Sequence, residues 1–275
     1  MPELPEVETL KLSLQESLIG LTITGVEVRR ANLRYPIPTD LGLELSNSKI
    51  VRLRRHAKYL ILELSSDKGI IIHLGMSGRF TLQHADYILK KHDHVIFHLN
   101  NGKILVFNDA RRFGTIDISP IASIEKHRFF KNLGPEPLSD SFNADYLYKK
   151  LKTKIIPIKN SLMDNNIVVG IGNIYASESL FLAGISPLRP SRSLSFEEVK
   201  DLTSAAKDVL TKAIQAGGTT LKDFVNGDNT PGYFKQELLV YGRASQNCLV
   251  CNSLIYKIKQ SGRATFYCMS CQKIE

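Results

Sequence analysis

The chain predicts an α+β fold, with an N-terminal β-sandwich, a helical domain behind it and a four-cysteine hairpin at the end. Three observations carry this expectation. Residues 21–118 break into short runs rich in branched and aromatic side chains, the apolar period turns helical beyond Pro120, and no cysteine occurs before Cys248. The expected strands are Leu21 to Arg29, Lys49 to Arg55, Tyr59 to Leu64, Ile70 to Leu74, Val95 to Leu99, Lys103 to Phe107 and Thr115 to Ile118. Turn sequences such as Ser66-Asp67-Lys68-Gly69 and Asn100-Asn101-Gly102 separate several of them, which suits a sandwich.

A helix precedes the strands, because Val7, Leu10, Leu14 and Leu18 recur at helical spacing and Gly20 follows as a stop. After Gly134-Pro135-Glu136-Pro137, a natural linker, the clearest helix opens with Ser195 and Glu198 as a capping box. Its apolar face runs through Val199, Leu202, Ala206, Val209, Leu210 and Ala213, and it ends at Gly217-Gly218. The expected divisions are 1–133 for the sandwich with its helix, 134–240 for the helical domain and 241–275 for the cysteine hairpin.

The 275 residues, 43% of them hydrophobic, suffice for about two domains with a core. A net charge of +9 and a pI near 9.3 point to a polyanionic partner, since a nucleic-acid binder gains affinity by neutralising phosphates. An anionic membrane surface competes with that reading. No apolar run approaches the roughly 20 residues of a membrane span, however, and the acidic N-terminus lacks the basic and apolar regions of a signal peptide. A soluble cytoplasmic protein without a membrane partner is expected.

The cysteines fall in the pattern Cys248-x2-Cys251-x16-Cys268-x2-Cys271. Two close pairs can set four thiolates tetrahedrally around one structural Zn2+, with Ile255, Tyr256, Ile258 and Phe266 suiting a hairpin between them. Redox or disulfide cysteines are the alternative. The surrounding Arg243, Lys257, Lys259, Arg263 and Lys273 against Glu275 leave this segment at +4, which suits contact with phosphates.

The first ten residues, Met-Pro-Glu-Leu-Pro-Glu-Val-Glu-Thr-Leu, carry chemistry of their own. Removal of Met1 exposes the secondary amine of Pro2, which can attack an electrophilic sugar carbon and leave an iminium, with Glu3 as the adjacent acid. Proline and acidic residues also favour helix starts. The two readings are compatible, because the positive end of a helix beginning near Pro5 disfavours the ammonium form of the amine.

Taken in order, several motifs resemble one family, the formamidopyrimidine-DNA glycosylases of base-excision repair. They are residues 1–9, Ala57-Lys58-Tyr59-Leu60, His73-Leu74-Gly75-Met76-Ser77-Gly78, Lys91-His92-Asp93-His94-Val95, Asp109-Ala110-Arg111-Arg112-Phe113-Gly114, Leu133 to Pro137, Val169 to Leu180, Gly217 to Phe224, and the cysteine hairpin with Arg263-Ala264-Thr265-Phe266-Tyr267-Cys268. The resemblance runs nearly end to end. Endonuclease VIII-like enzymes for oxidised pyrimidines share Pro2 and Glu3, but Leu4 and Glu6-Val7-Glu8-Thr9 look like the purine-directed branch.

What the resemblance implies is a bifunctional DNA glycosylase and AP lyase that excises 8-oxoguanine and formamidopyrimidines and then cuts the strand by β,δ-elimination. Pro2 would form the Schiff base, Glu3 assist base departure, Lys58 serve β-elimination, and Arg263 clamp a phosphate and help the second elimination. Met76, Arg111 and Phe113 match a wedge that fills the space of an everted base. His92, Lys154, Lys159 and Asn173 match DNA contacts, and Gly170-Ile171-Gly172-Asn173-Ile174-Tyr175 matches a helix-two-turn-helix. The implied partner is damaged double-stranded DNA, bound by a monomer in a bacterial cytoplasm at the nucleoid. Ala110 and Met269-Ser270 depart from the family pattern, where proline is common. A polar Val225-Asn226-Gly227-Asp228-Asn229 within the expected recognition loop, 221–233, leaves lesion preference unread. Two competing readings are a non-catalytic zinc-finger DNA-binding protein and a zinc ribbon that docks on protein or ribosomal RNA; neither accounts for a proline beside an acid at the N-terminus.

Overall fold

A computed structural model describes residues 1–219 and 237–274, so the expected recognition loop at 221–233 lies outside the described residues. The chain forms two compact units, one of Met1–Lys131 joined by residues 216–219, the other of Asn132–Gln215 joined by residues 237–274.

In the first unit, helix α1 (Leu4–Leu18) buries Leu4, Val7, Leu10, Leu14 and Leu18, all at 1% exposure or less. Gly20 then turns the chain at φ +91°, a conformation glycine adopts without penalty. The strands β1 (Thr22–Val28), β2 (Ser48–His56), β3 (Tyr59–Leu64), β4 (Lys68–His73), β5 (Arg79–His84), β6 (Asp93–Leu99), β7 (Lys103–Asn108) and β8 (Thr115–Pro120) follow. The seven expected strands are present. The eighth, β5, and a short helix α2 (Leu41–Leu45) had no counterpart in the sequence reading.

All eight strands pair antiparallel in the order β5-β7-β6-β1-β2-β3-β4-β8. The sheet closes sandwich-like on one core, in which Leu10 and Leu14 of α1 meet Leu60 and Leu62 of β3 and Phe80, Phe97 and Phe107 of β5, β6 and β7. Alternation along β6 explains the second face. Val95 and Phe97 enter the main core, while Ile96 joins Ile104 and Val106 in a smaller cluster covered by Tyr87 and Leu89. Turn residues set the register: Asn100 accepts from the Thr22 N–H at 3.1 Å and Gly102 takes φ +74° between β6 and β7.

In the second unit, α3 (Ala144–Leu151), α4 (Ile158–Leu162), α5 (Asn173–Leu182) and α6 (Phe196–Gln215) precede the hairpin β9 (Ile255–Gln260) and β10 (Arg263–Cys268). Asn143 caps α3 by accepting from the Tyr146 N–H at 2.9 Å. Helix α5 is buried from Ile174 through Phe181, and Phe181 shares a core with Val240, Cys248, Ile255, Phe266 and Cys268. The hairpin therefore packs on a helix as well as on itself. Gly134 lies so close to the Ile167 backbone that a Cβ there would sit 2.5 Å from its carbonyl carbon. Helix α6 has the capping box the sequence indicates, with the Ser195 N–H donating to Glu198 at 2.8 Å and the Glu198 N–H to the Ser195 hydroxyl at 3.2 Å.

Ser195→Ala removes the hydroxyl that accepts the Glu198 N–H. We expect a loss of about 1 kcal/mol in stability, read as a lowered thermal midpoint, with most of it restored by Ser195→Thr.

Candidate active site and nucleic-acid interface

The first group of site residues is built by the start of α1. Pro2 is buried, and Glu3, 3% exposed, is the N-cap in extended conformation. Glu3 and Glu6 form a reciprocal capping box, in which Glu6 Oε2 accepts the Glu3 N–H at 2.8 Å. Glu6 Oε1 accepts both the Thr219 N–H, at 3.0 Å, and the Thr219 hydroxyl, at 2.8 Å. The result is a buried proline beside a buried carboxylate residue at the positive end of a helix.

Lys58 occupies the two-residue turn between β2 and β3, where Ala57 takes φ +53°, and it is 9% exposed. Its charge reaches His73 on β4. Burial first, then the Lys58 cation and the Arg34 cation, push the His73 imidazole down to about 4. His73 Nδ1 accepts the Gly75 N–H at 3.0 Å, so the neutral ring carries its proton on Nε2. The Tyr59 ring packs 4.8 Å from His73 and stacks on Phe129 at 5.6 Å.

Two loops of the same unit bring together the expected wedge. Met76 and Phe113 are 36% and 44% exposed. The Arg111 guanidinium lies over the Phe113 ring, 5.1 Å from its centroid. Gly75 allows the approach: at φ +62°, a Cβ would stand 2.3 Å from the Phe113 carbonyl carbon. His92 is partly exposed on the neighbouring loop, with its ring 6.0 Å from that of His94.

The second unit holds the remaining residues. Gly170 at φ +80° and Gly172, the N-cap of α5 in extended conformation, shape the tight entry to that helix. Asn173 opens α5. Its amide donates to the Ala264 carbonyl at 2.9 Å, and its oxygen accepts the Lys159 ammonium at 2.6 Å. Lys159 also donates to the Thr265 hydroxyl at 2.7 Å and the Ala264 carbonyl at 3.2 Å, and is 1% exposed. The sequence suggested a surface cation there; the structure makes it a pin between α4, α5 and β10. Arg263 is exposed and borders a hollow of ≈ 260 Å³ with Asn160, Met163, Gln260 and Ser261, while Lys154 lies partly exposed after α3.

The four cysteine sulfurs lie within 4.8 Å of one another and could hold a metal ion. Cys248 and Cys271 Sγ atoms are 3.8 Å apart and Cys251 and Cys268 3.4 Å, close to the ~3.8 Å edge of a tetrahedron of ~2.3 Å zinc–sulfur bonds. Sequence reasoning passed over Glu178, which is 2% exposed and accepts the Leu239, Val240 and Tyr241 N–H groups at 2.8, 3.0 and 2.7 Å. This carboxylate holds the entry to the hairpin on α5, and burial raises its pKa. Glu6 was passed over too, although its spacing from Glu3 is the capping-box signal.

Residues 1–116 match the family model for the formamidopyrimidine-DNA glycosylase N-terminal domain, and residues 133–225 match that for the formamidopyrimidine-DNA glycosylase H2TH domain. A formamidopyrimidine-DNA glycosylase of Rickettsia bellii (strain OSU 85-389) is 60% identical over 273 residues, 99% of this chain and 100% of its own. That of Rickettsia africae (strain ESF-5) is 60% identical over 272 residues, covering 99% of each. Among solved structures, a Lactococcus lactis FPG mutant in complex with Fapy-dG-containing DNA superposes with a TM-score of 0.93 at 33% identity, over 99% of this chain and 100% of that one. The Lactococcus lactis Fpg with abasic-site DNA gives 0.92 at 33% identity, over 98% and 99%.

His73 generates a pH prediction. Its folded pKa, about 4, lies below the unfolded 6.5, so the unfolded state takes up a proton first as pH falls. Stability is undiminished above pH 6.5 and declines between 6.5 and 4, by on the order of 3 kcal/mol when complete. His73→Asn keeps an acceptor for the Gly75 N–H and should flatten that acid limb in melting measured across the window. An unchanged slope would remove His73 as its source.

Proposed function

This chain belongs to the formamidopyrimidine-DNA glycosylase family, and on that premise we propose that it is a bifunctional glycosylase and AP lyase, excising 8-oxoguanine and formamidopyrimidines from duplex DNA through a Pro2 Schiff base. The observation that carries this reading is a buried Pro2 at the positive end of α1, beside a carboxylate, Glu3, that is 3% exposed. No binding module needs that pair.

Once Met1 is removed, the Pro2 lone pair forms a bond to C1′ of the damaged nucleotide. The glycosidic bond breaks, and its electron pair leaves with the base, which takes up the proton that the proline nitrogen gives up on bonding to C1′. Glu3 gives a proton to the sugar ring oxygen, the ring opens, and an iminium joins C1′ to the proline nitrogen. Loss of a C2′ proton expels the 3′ phosphate, with Lys58 assisting. A second elimination, helped by Arg263, expels the 5′ phosphate, and water then releases the sugar fragment. Met76, Arg111 and Phe113 occupy the space of the everted base, with the guanidinium turned to the orphaned partner. His92, Lys154 and Asn173 hold phosphates, and Lys159 acts through Asn173.

Cys248, Cys251, Cys268 and Cys271 would hold one Zn2+, which as a structural ion fixes the fold of a segment too short to have much core of its own. The protein acts as a monomer on damaged duplex DNA in a bacterial cytoplasm.

Borohydride trapping on abasic-site or 8-oxoguanine oligonucleotides tests the central assignment. A covalent adduct should form, and an N-terminal extension left in place should abolish it by acylating the proline nitrogen. Glu3→Gln should lower release of 8-oxoguanine by roughly 10²–10⁴-fold while trapping at an abasic site largely persists, because the open aldehyde needs no leaving-group acid. Equal loss in both assays, with fold and binding intact, would reassign Glu3 to tuning the amine. Inclusion of an oxidised-pyrimidine substrate separates the purine-directed reading from the endonuclease VIII-like one.

The metal assignment yields a separate expectation. Elemental analysis should return one zinc per chain, and Cys268→Ser should lose the metal and DNA affinity before the N-terminal unit melts. Active protein without zinc would overturn it.

A further inference from the structure

Asp109 is fully buried at 0% exposure, yet every polar atom it has is engaged, and together they tie its own loop to the Ser77 loop and to the His92–His94 segment. Its Oδ1 accepts the Ser77 hydroxyl at 2.6 Å, and its Oδ2 accepts the Gly114 N–H at 2.7 Å. The Ser77 oxygen in turn accepts the Arg111 N–H at 3.0 Å. On the main chain, the Asp109 N–H donates to the His92 carbonyl at 3.0 Å, and the His94 ring lies 2.9 Å from the Asp109 carbonyl, to which its Nε2–H donates.

The neighbours of these partners are the wedge residues. Met76 precedes Ser77, Arg111 receives the Ser77 relay through its backbone, and Phe113 precedes Gly114. Gly114 also closes the geometry: a Cβ there would stand 3.0 Å from Asp109 Oδ2 and 2.7 Å from the Phe107 ring. A carboxylate is the side chain for this task because it accepts on both oxygens, whereas an amide of the same shape presents a donor at one of them.

We infer that Asp109 is a positioning residue for base eversion, the group that holds the Met76 loop and the Arg111–Phe113 loop in one register so that three side chains enter the duplex as a unit. The inference rests on the proposed role of those three residues. Asp109 touches no substrate. Its effect passes through the loops, so it falls on the step that needs a filled base stack and spares the step that does not.

The test compares wild type, Asp109→Asn, Phe113→Ala and the double variant in two single-turnover assays, 8-oxoguanine excision from duplex and strand cleavage at a preformed abasic site. Asp109→Asn should slow excision roughly 10- to 100-fold and abasic cleavage by less than about threefold. In the Phe113→Ala background its further effect on excision should fall below about threefold, because a disordered wedge has already lost what Asp109 holds. Full additivity, or equal loss on both substrates, would reduce Asp109 to a fold-stabilising residue. Ser77→Ala, which removes only the hydroxyl relay, guards against a variant that does not fold; it should show a smaller loss confined to excision, and unchanged excision overturns the relay. If Phe113→Ala itself excises at the wild-type rate, the wedge role fails, and the inference with it, while trapping through Pro2 stands.

Discussion

A helix that begins at the fourth residue of a chain must satisfy its first N–H groups with whatever lies nearest, and in this protein that is the carboxylate of Glu6. One oxygen takes the Glu3 N–H, and the other takes the N–H and hydroxyl of Thr219, from the far end of the sequence. Glu6 is 2% exposed and Thr219 is fully buried, so each donor left unmet would cost about 1–3 kcal/mol. Gly218, at φ +76° and with its Cβ position 3.4 Å from Glu6, supplies the close approach. The direction of α1, the extended backbone of Glu3 and the burial of Pro2 all follow from this carboxylate. Without it the two or three residues ahead of α1 would fray.

The second unit repeats the device with different partners. Glu178 gathers three consecutive N–H groups and Lys159 gathers three acceptors, so that one buried charge organises several backbone segments. Buried charges persist only when so surrounded. Within each unit, therefore, the charged side chains that organise the backbone are turned inward, while Arg111, Phe113 and Arg263 stand exposed.

Legibility in the sequence followed the range of the interaction. Strands with clean alternation, the apolar face of α1 and the Ser195 capping box are local patterns, and they were readable. The strand Arg79–His84 was not, since Phe80 and Leu82 are too few to mark a period between turns. The cysteine spacing indicated a metal site because ligand geometry constrains sequence distance directly. Glu6, Asp109 and Glu178 lay hidden for the opposite reason: their partners at Thr219, Ser77 and Tyr241 are distant in sequence, and an acidic residue among apolar ones carries no mark of what it will meet. The wedge motif was legible only through family resemblance, because exposed Met76 and Phe113 look like core residues in any local window.

The saturation of Lys159 bears on how DNA affinity should respond to ionic strength. Its three N–H bonds end on Asn173, Thr265 and Ala264, so the ammonium adds to the electrostatic potential of its unit but has no bond left for a phosphate. Each phosphate neutralised by direct contact releases condensed cations and steepens the fall of log K with log salt by about 0.9. Lys159 contributes to the height of that line and not to its gradient. Arg263, by contrast, stands exposed. The number of ions freed on binding is thus smaller than the tally of basic motif residues would indicate, by the cations the protein has already bonded to itself.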